Sequence, residues 1–242
     1  MIEAERRKRL TEWLDVIYKD VQDVVVDDHV FWEIQEIFRQ NSRLAKTPSI
    51  FNQWMASAFI QSAALGVRRQ ADKADTCVSL HRLLLEVKKY PGLVSREYYV
   101  SLCANLPEHH AKKMADGTYD RLVGAGLVQP DPEQVQAEID ELLAKTDGIR
   151  HYVDRRAAHY DTRGIQKPIP TFNDLADCLA FFERLIKKYK DLLTGVALSN
   201  LLPVFLYDWK AIFHFPWLER PAPPRILDSG ASTARPADSA NR

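Results

Sequence analysis

The sequence has few of the features that usually announce a chemistry. Cysteine is scarce: Cys77, Cys103 and Cys178 are the only three. They are odd in number, far apart and without zinc-ligand spacing, which excludes a disulfide framework and a zinc knuckle and leaves reduced, buried thiols as the expectation. Only nine glycines occur, and no glycine-rich phosphate loop, dinucleotide fingerprint or His-Glu-x-x-His helix is among the motifs, so no cofactor is expected. His109-His110 make a poor metal pair, because adjacent side chains on a helix point about 100° apart and no acidic or cysteine partner stands at ligand spacing. Net charge is absent as well, 33 basic residues balancing 33 acidic ones. No global field draws the chain to nucleic acid or an anionic membrane, and any basic surface must be local. No apolar run approaches the roughly eighteen residues that span a bilayer. The charged start, Met1 to Leu10, has no apolar core of a secretory signal. A cytoplasmic protein without membrane contact is the expectation.

What the sequence does have is helical periodicity. Hydrophobic residues make up 46% of 242 residues, enough for a sizeable core. Leu10, Trp13, Leu14, Ile17, Tyr18 and Val21 recur at three- and four-residue spacing, and Phe31, Ile34, Ile37 and Phe38 do so again. They predict two helices, separated by a cap at Asp27-Asp28. Thr47-Pro48-Ser49 opens a long helix to Arg68-Arg69, and Asp75 or Thr76 caps the next, which stops at Tyr90-Pro91-Gly92. Shorter helices follow from Ser95 and from Glu108. Pro130-Asp131-Pro132 starts another long helix, continued through Ile149 to His159 with a bend at Gly148, and ending at Asp161 to Gly164. Thr171 or Asn173 caps an amphipathic helix through Leu175, Leu179, Phe182 and Tyr189. An aromatic segment, Ala197 to His214, is expected to pack on the bundle. From Pro221 the composition turns to Pro, Ala, Ser and Arg, which predicts a disordered tail. The fold class expected is all-α: one helical domain over residues 1–220 with an antiparallel bundle at its centre, and a tail over 221–242.

One segment carries candidate chemistry: Arg150-His-Tyr-Val-Asp-Arg-Arg-Ala-Ala-His159-Tyr-Asp161. At about 100° per residue, Tyr152, Arg155 and His159 fall within about 40° of one line, with Arg156 about 60° to the other side. An imidazole can take or give a proton near neutrality, and guanidiniums can stabilise a phosphorane. Such a set could activate a ribose 2′-hydroxyl against its own phosphate without a metal. The bland account is that His159 and Arg163 complement a helix C-terminus. Arg68 and Arg69 have the same two readings: a solvated end of a helix paired with Asp72, or a bidentate arginine pair offered to phosphate.

Asp154-Arg-Arg-Ala-Ala-His159-Tyr-Asp161 resembles the "Arg-Asp-Lys-x-x-Ala-His-x-Asp" signature of HEPN-domain proteins of the AbiU-like abortive-infection group. Arg68-Arg69-Gln-Ala-Asp72-Lys73, followed by Ser79-Leu80-x-x-Leu83-Leu84, resembles that group's "Arg-Arg, Asp-Lys, Ser-Leu-x-x-Leu-Leu" stretch. With the helix after Pro170, the resemblance covers roughly residues 51–193. It implies an all-α HEPN bundle, often a homodimer, with relatives that include metal-independent endoribonucleases of toxin–antitoxin and phage-defence systems. It further implies RNA and an antitoxin protein as partners, with a site usually composite across a dimer. The candidate site residues are His159, Arg155, Arg156 and Asp154 for catalysis, with Arg155 or Arg156 substituting from one turn nearer for the group's arginine, and Arg68, Arg69, Arg150 and Arg163 for RNA binding. The sequence departs from the group at Val153, which stands where the group has its arginine. A non-catalytic helical interaction module with a degenerate site is therefore the alternative.

Overall fold

The computed structural model describes residues 3–47, 49–103, 108–157 and 168–215, the side chains of 108–111 and 156–157 excepted. The chain divides into two units, Met1–Pro203 and Val204–Arg242. Among the described residues the structure is helical, with no strand. The predicted tail lies outside them.

Helix α1, Glu3–Gln40, is the spine of the first unit. The expected break at Asp27-Asp28 is absent, and one helix replaces two. The reason is that Leu10, Leu14, Ile17, Val21, Val24 and Phe31 continue a single buried stripe through the acidic pair. Asp27 accepts a hydrogen bond from Ser62 and Asp28 one from the indole of Trp32, so both carboxylates serve a continuous helix rather than cap a new one. A short α2, Ser42–Lys46, capped by Asn41, escaped the sequence reading.

Helices α3, Ile50–Gln70, and α4, Leu80–Lys89, run end to end and antiparallel to α1. Along α3, Gln35 meets Asn52, Phe31 stacks on Phe59 at 4.2 Å, and Asp20 meets Arg69. Along α4, Trp13 lies under Arg82 and Arg9 pairs with Glu86. Gly66 is needed where α3 crosses α1, since a Cβ there would overlap Val24 Cγ2. The caps follow the helix-start logic with one correction. Ser49, the last residue of the predicted opening Thr47-Pro48-Ser49, caps α3, and Ser79, not Asp75 or Thr76, caps α4 by accepting from the Arg82 amide at 3.2 Å.

A 3-10 turn, Pro91–Val94, leads to α5, Arg96–Leu102, capped by Ser95, and then to α6, Glu108–Leu122. Helix α7, Pro132–Tyr152, starts at the Asp131 cap with proline in its first turn and passes Gly148 unbroken. Helix α8, Phe172–Thr194, begins in a capping box between Thr171 and Asp174 and ends at Gly195, whose φ of 70° suits glycine. It runs antiparallel to α1, from Phe172 beside Trp32 to Lys190 beside Asp15. It is antiparallel to α7 too, where Tyr189 and Lys188 both bond to Glu138. Burial raises the Tyr189 hydroxyl, and the Glu138 carboxylate adds to the shift. Cys178 is buried, as expected, with its thiol pushed up to about 12 by burial, whereas Cys77 and Cys103 are only half-buried. In the second unit, a 3-10 turn at Trp209–His214 brings Trp209 close to Phe205 and Phe213.

Candidate functional site

Where α3 ends and α4 begins, the chain must turn beside the middle of α1, and polar side chains hold that turn. Gln70, 2% exposed, donates to Asp20 Oδ2 at 2.6 Å and accepts from the Leu80 amide at 3.3 Å, tying three helices together. Ser79 Oγ donates to the Asp72 carbonyl. Arg82 donates to the carbonyls of Ala74 and Asp75 while its guanidinium covers Trp13. The turn is thus bonded at both ends, and its side chains have fixed positions.

The end of α7 arrives at this junction. Arg68 Nε donates to Asp154 Oδ1 at 2.8 Å, and its Nη1 donates to Asp72 Oδ2 at 3.0 Å. Asp72 lies below its ordinary pKa because its carboxylate accepts from the Ala74 amide; Arg68 and the Arg150 charge act in the same direction. Arg68 is raised, first by its bond to Asp154. The two stretches that carry the family resemblance, separated by 86 residues in sequence, are therefore neighbours in space.

Each predicted site residue has a distinct fate. Arg68 and Arg150 are part of the junction. Arg69 turns the other way and grips Asp20 through Nε and Nη2, so only Arg68 bonds to Asp72. Asp154 holds Arg68, and Arg155 is half-buried beside it. The Arg156 side chain, His159 and Arg163 lie outside the described residues. The local backbone also differs from the expected α-helix: Val153–Ala157 is a π-helical turn. With bonds to the fifth rather than the fourth residue, Val153–Ala157 takes more than 3.6 residues per turn, so each residue there turns by less than about 100°. The spacing of 100° per residue assumed between Tyr152 and Arg155 does not hold in this turn. Val153, at the position of the resembled arginine, is fully buried.

His81 was missed by the sequence reading. It is 6% exposed, and its Nδ1 has no hydrogen-bond partner among the described residues. Burial lowers its pKa, the charges of Lys73, Arg150 and Arg82 lower it further, and Asp72 opposes them. Burial and the neighbouring charges thus favour the neutral form of this imidazole. The available signal was its place between Leu80 and Leu84 on the apolar side of α4. Beside α7 lies a mostly apolar cavity of about 400 Å³, lined in part by Ile60, Ala64, Ile149, Tyr152 and Phe172.

No group of three His, Cys, Asp or Glu side chains able to hold a metal occurs among the described residues, and no described helix is long and apolar enough to cross a membrane. No family model, curated protein or solved structure gives a significant match to this chain.

Proposed function

We propose that this protein is a HEPN-like RNA-directed protein of a phage-defence or toxin–antitoxin type, and that it cleaves RNA without a metal. The observation that carries the reading is the contact between Arg68 and Asp154, which joins the two resembling stretches into one charged junction. His159 takes the proton of a ribose 2′-hydroxyl, O2′ attacks the adjacent phosphorus, and the P–O5′ bond breaks as the imidazolium returns that proton to the 5′-oxygen. The products are a 2′,3′-cyclic phosphate and a 5′-hydroxyl. Arg155 and Arg156 offset the charge that builds on the phosphorane. Asp154 fixes Arg68, while Arg150, Arg69 and Arg163 hold flanking phosphates. A homodimer and an antitoxin protein complete the assembly.

Val153 favours a second reading. A buried aliphatic side chain stands where the resembled group has arginine, so a helical interaction module without catalysis is the rival. Overproduction separates the two. Growth arrest that His159→Ala relieves supports the first; unimpaired growth with the wild-type chain at high level supports the rival.

A further inference from the structure

Asp191 stands where a carboxylate does little for the fold. It lies in the last turn of α8, where the helix dipole disfavours a negative charge. It is also only 8% exposed, so it has lost most of its water. A carboxylate offers about four acceptor positions, yet among the described residues Asp191 receives one side-chain bond, from the Tyr99 hydroxyl at 2.8 Å. No described lysine or arginine pairs with it, although cations crowd this end of α8. Lys187 pairs with Glu183, Lys188 with Glu138 and Lys190 with Asp15. A buried carboxylate held by one neutral donor destabilises a fold unless a further group binds to it.

Asp191 lines a groove of about 570 Å³ bordered by α6, α7 and α8, a volume in the range of small-molecule sites. Leu122, Leu185 and Leu198 supply apolar wall. The other acidic side chains of the groove are satisfied by cations, Glu138 by Lys188 and Glu141 by Arg184. Arg121, also on the wall, is the counterpart of Asp191. It bonds to the Thr118 hydroxyl at 2.9 Å and to no carboxylate among the described residues. It is near enough for its charge to act on the Tyr99 hydroxyl that Asp191 holds. The groove therefore presents one negative and one positive group without ionic partners, beside an apolar surface.

We propose that this groove binds a small zwitterion with an apolar side chain, a free α-amino acid or a dipeptide of apolar residues. The ligand's ammonium donates to the Asp191 carboxylate, and its own carboxylate accepts from the Arg121 guanidinium. Its side chain covers the three leucines. A simple anion would leave Asp191 as it is, and a simple cation would leave Arg121 so; a molecule carrying both charges satisfies both. The site is separate from the Arg68–Asp154 junction, since Glu141 and Asp154 stand roughly 20 Å apart along α7 and its terminal turn. The ligand is accordingly no part of the proposed RNA reaction, and the inference does not rest on that reading.

Calorimetric titration of the intact chain with leucine and with leucyl-leucine tests the proposal. At least one should bind saturably, and the tighter of the two fixes the length of the ligand. Its N-acetylated and C-amidated derivatives should each bind roughly ten- to a hundredfold more weakly, because each lacks one charged hydrogen-bonding group. Asp191→Asn, which can still accept from Tyr99, and Arg121→Gln, at an exposed position, should weaken the parent ligand by similar factors. The losses should not add where they share a cause: Asp191→Asn should hardly alter the affinity for the N-acetylated derivative, nor Arg121→Gln that for the amide. Circular dichroism of the ligand-free variants checks that they fold; should Asp191→Asn fail, Arg121→Gln and the two derivatives decide alone. Absence of saturable binding by both ligands overturns the proposal. So does binding that is indifferent to the blocked ammonium or to Arg121→Gln.

Discussion

Arg68 on α3 and Asp154 in the π-helical turn after α7 form an ion pair of 2.8 Å across 86 residues of sequence. Both side chains are partly exposed, at 38% and 48%, so water screens the pair and its worth is about 1 kcal/mol or less. A double-mutant cycle with Arg68→Gln and Asp154→Asn should give a coupling of roughly 0.2–1 kcal/mol by urea unfolding. A coupling above about 2 kcal/mol would show the contact to be a buried structural element instead.

His81 makes stability depend on pH in a direction that can be derived. Burial holds its folded pKa below the ordinary 6.5, with Lys73, Arg150 and Arg82 reinforcing the shift. Between the two values the unfolded chain binds the proton and the folded chain does not. The stabilisation is complete above 6.5 and declines as pH falls towards the lowered value, by at most about 1.4 kcal/mol per pH unit. Urea midpoints at about pH 8 and about pH 5.5 should therefore differ less for His81→Phe than for the wild type. Equal losses in both proteins would contradict this account of His81.

Gly66→Ala should destabilise the fold by roughly 1–3 kcal/mol, because the new methyl group meets Val24 where α3 crosses α1. Thermal unfolding of the two proteins measures it. A neutral or stabilising result would mean that the α1–α3 crossing relaxes freely.

Thiol labelling reads out the third expectation about packing. Cys77 and Cys103 are half-buried, whereas Cys178 is buried with its thiol pushed up to about 12. In native protein near neutral pH, Cys77 and Cys103 should react first and Cys178 only on unfolding. Labelling of Cys178 at a comparable rate would place it at a surface.

Helix starts were legible because caps act locally. Ser49, Ser95, Asp131 and Thr171 each bond to an amide of their own first turn, and that information lies within four residues. The α1 break was misread because Asp27 and Asp28 look like caps from their neighbours alone, while their partners are Ser62 on α3 and Trp32 one turn on. The α4 cap was misplaced for a similar reason. Asp72 and Ser79 bond to each other across the turn, leaving Ser79 to start the helix. At the site, Arg68 and Asp154 could be named from motifs, but no local rule says that a π-helical turn follows Tyr152 or that His81 ends up buried. Those depend on how α7 meets the α3–α4 junction, which is a tertiary contact.

The most direct test of the proposed chemistry is the end group left on RNA. Intact protein incubated with a defined single-stranded RNA in excess chelator should yield fragments ending in 2′,3′-cyclic phosphate. His159→Ala should abolish them without shifting the thermal midpoint, and Arg155→Ala with Arg156→Ala should reduce them comparably. No cleavage by the wild type, or undiminished cleavage by His159→Ala, would contradict the account.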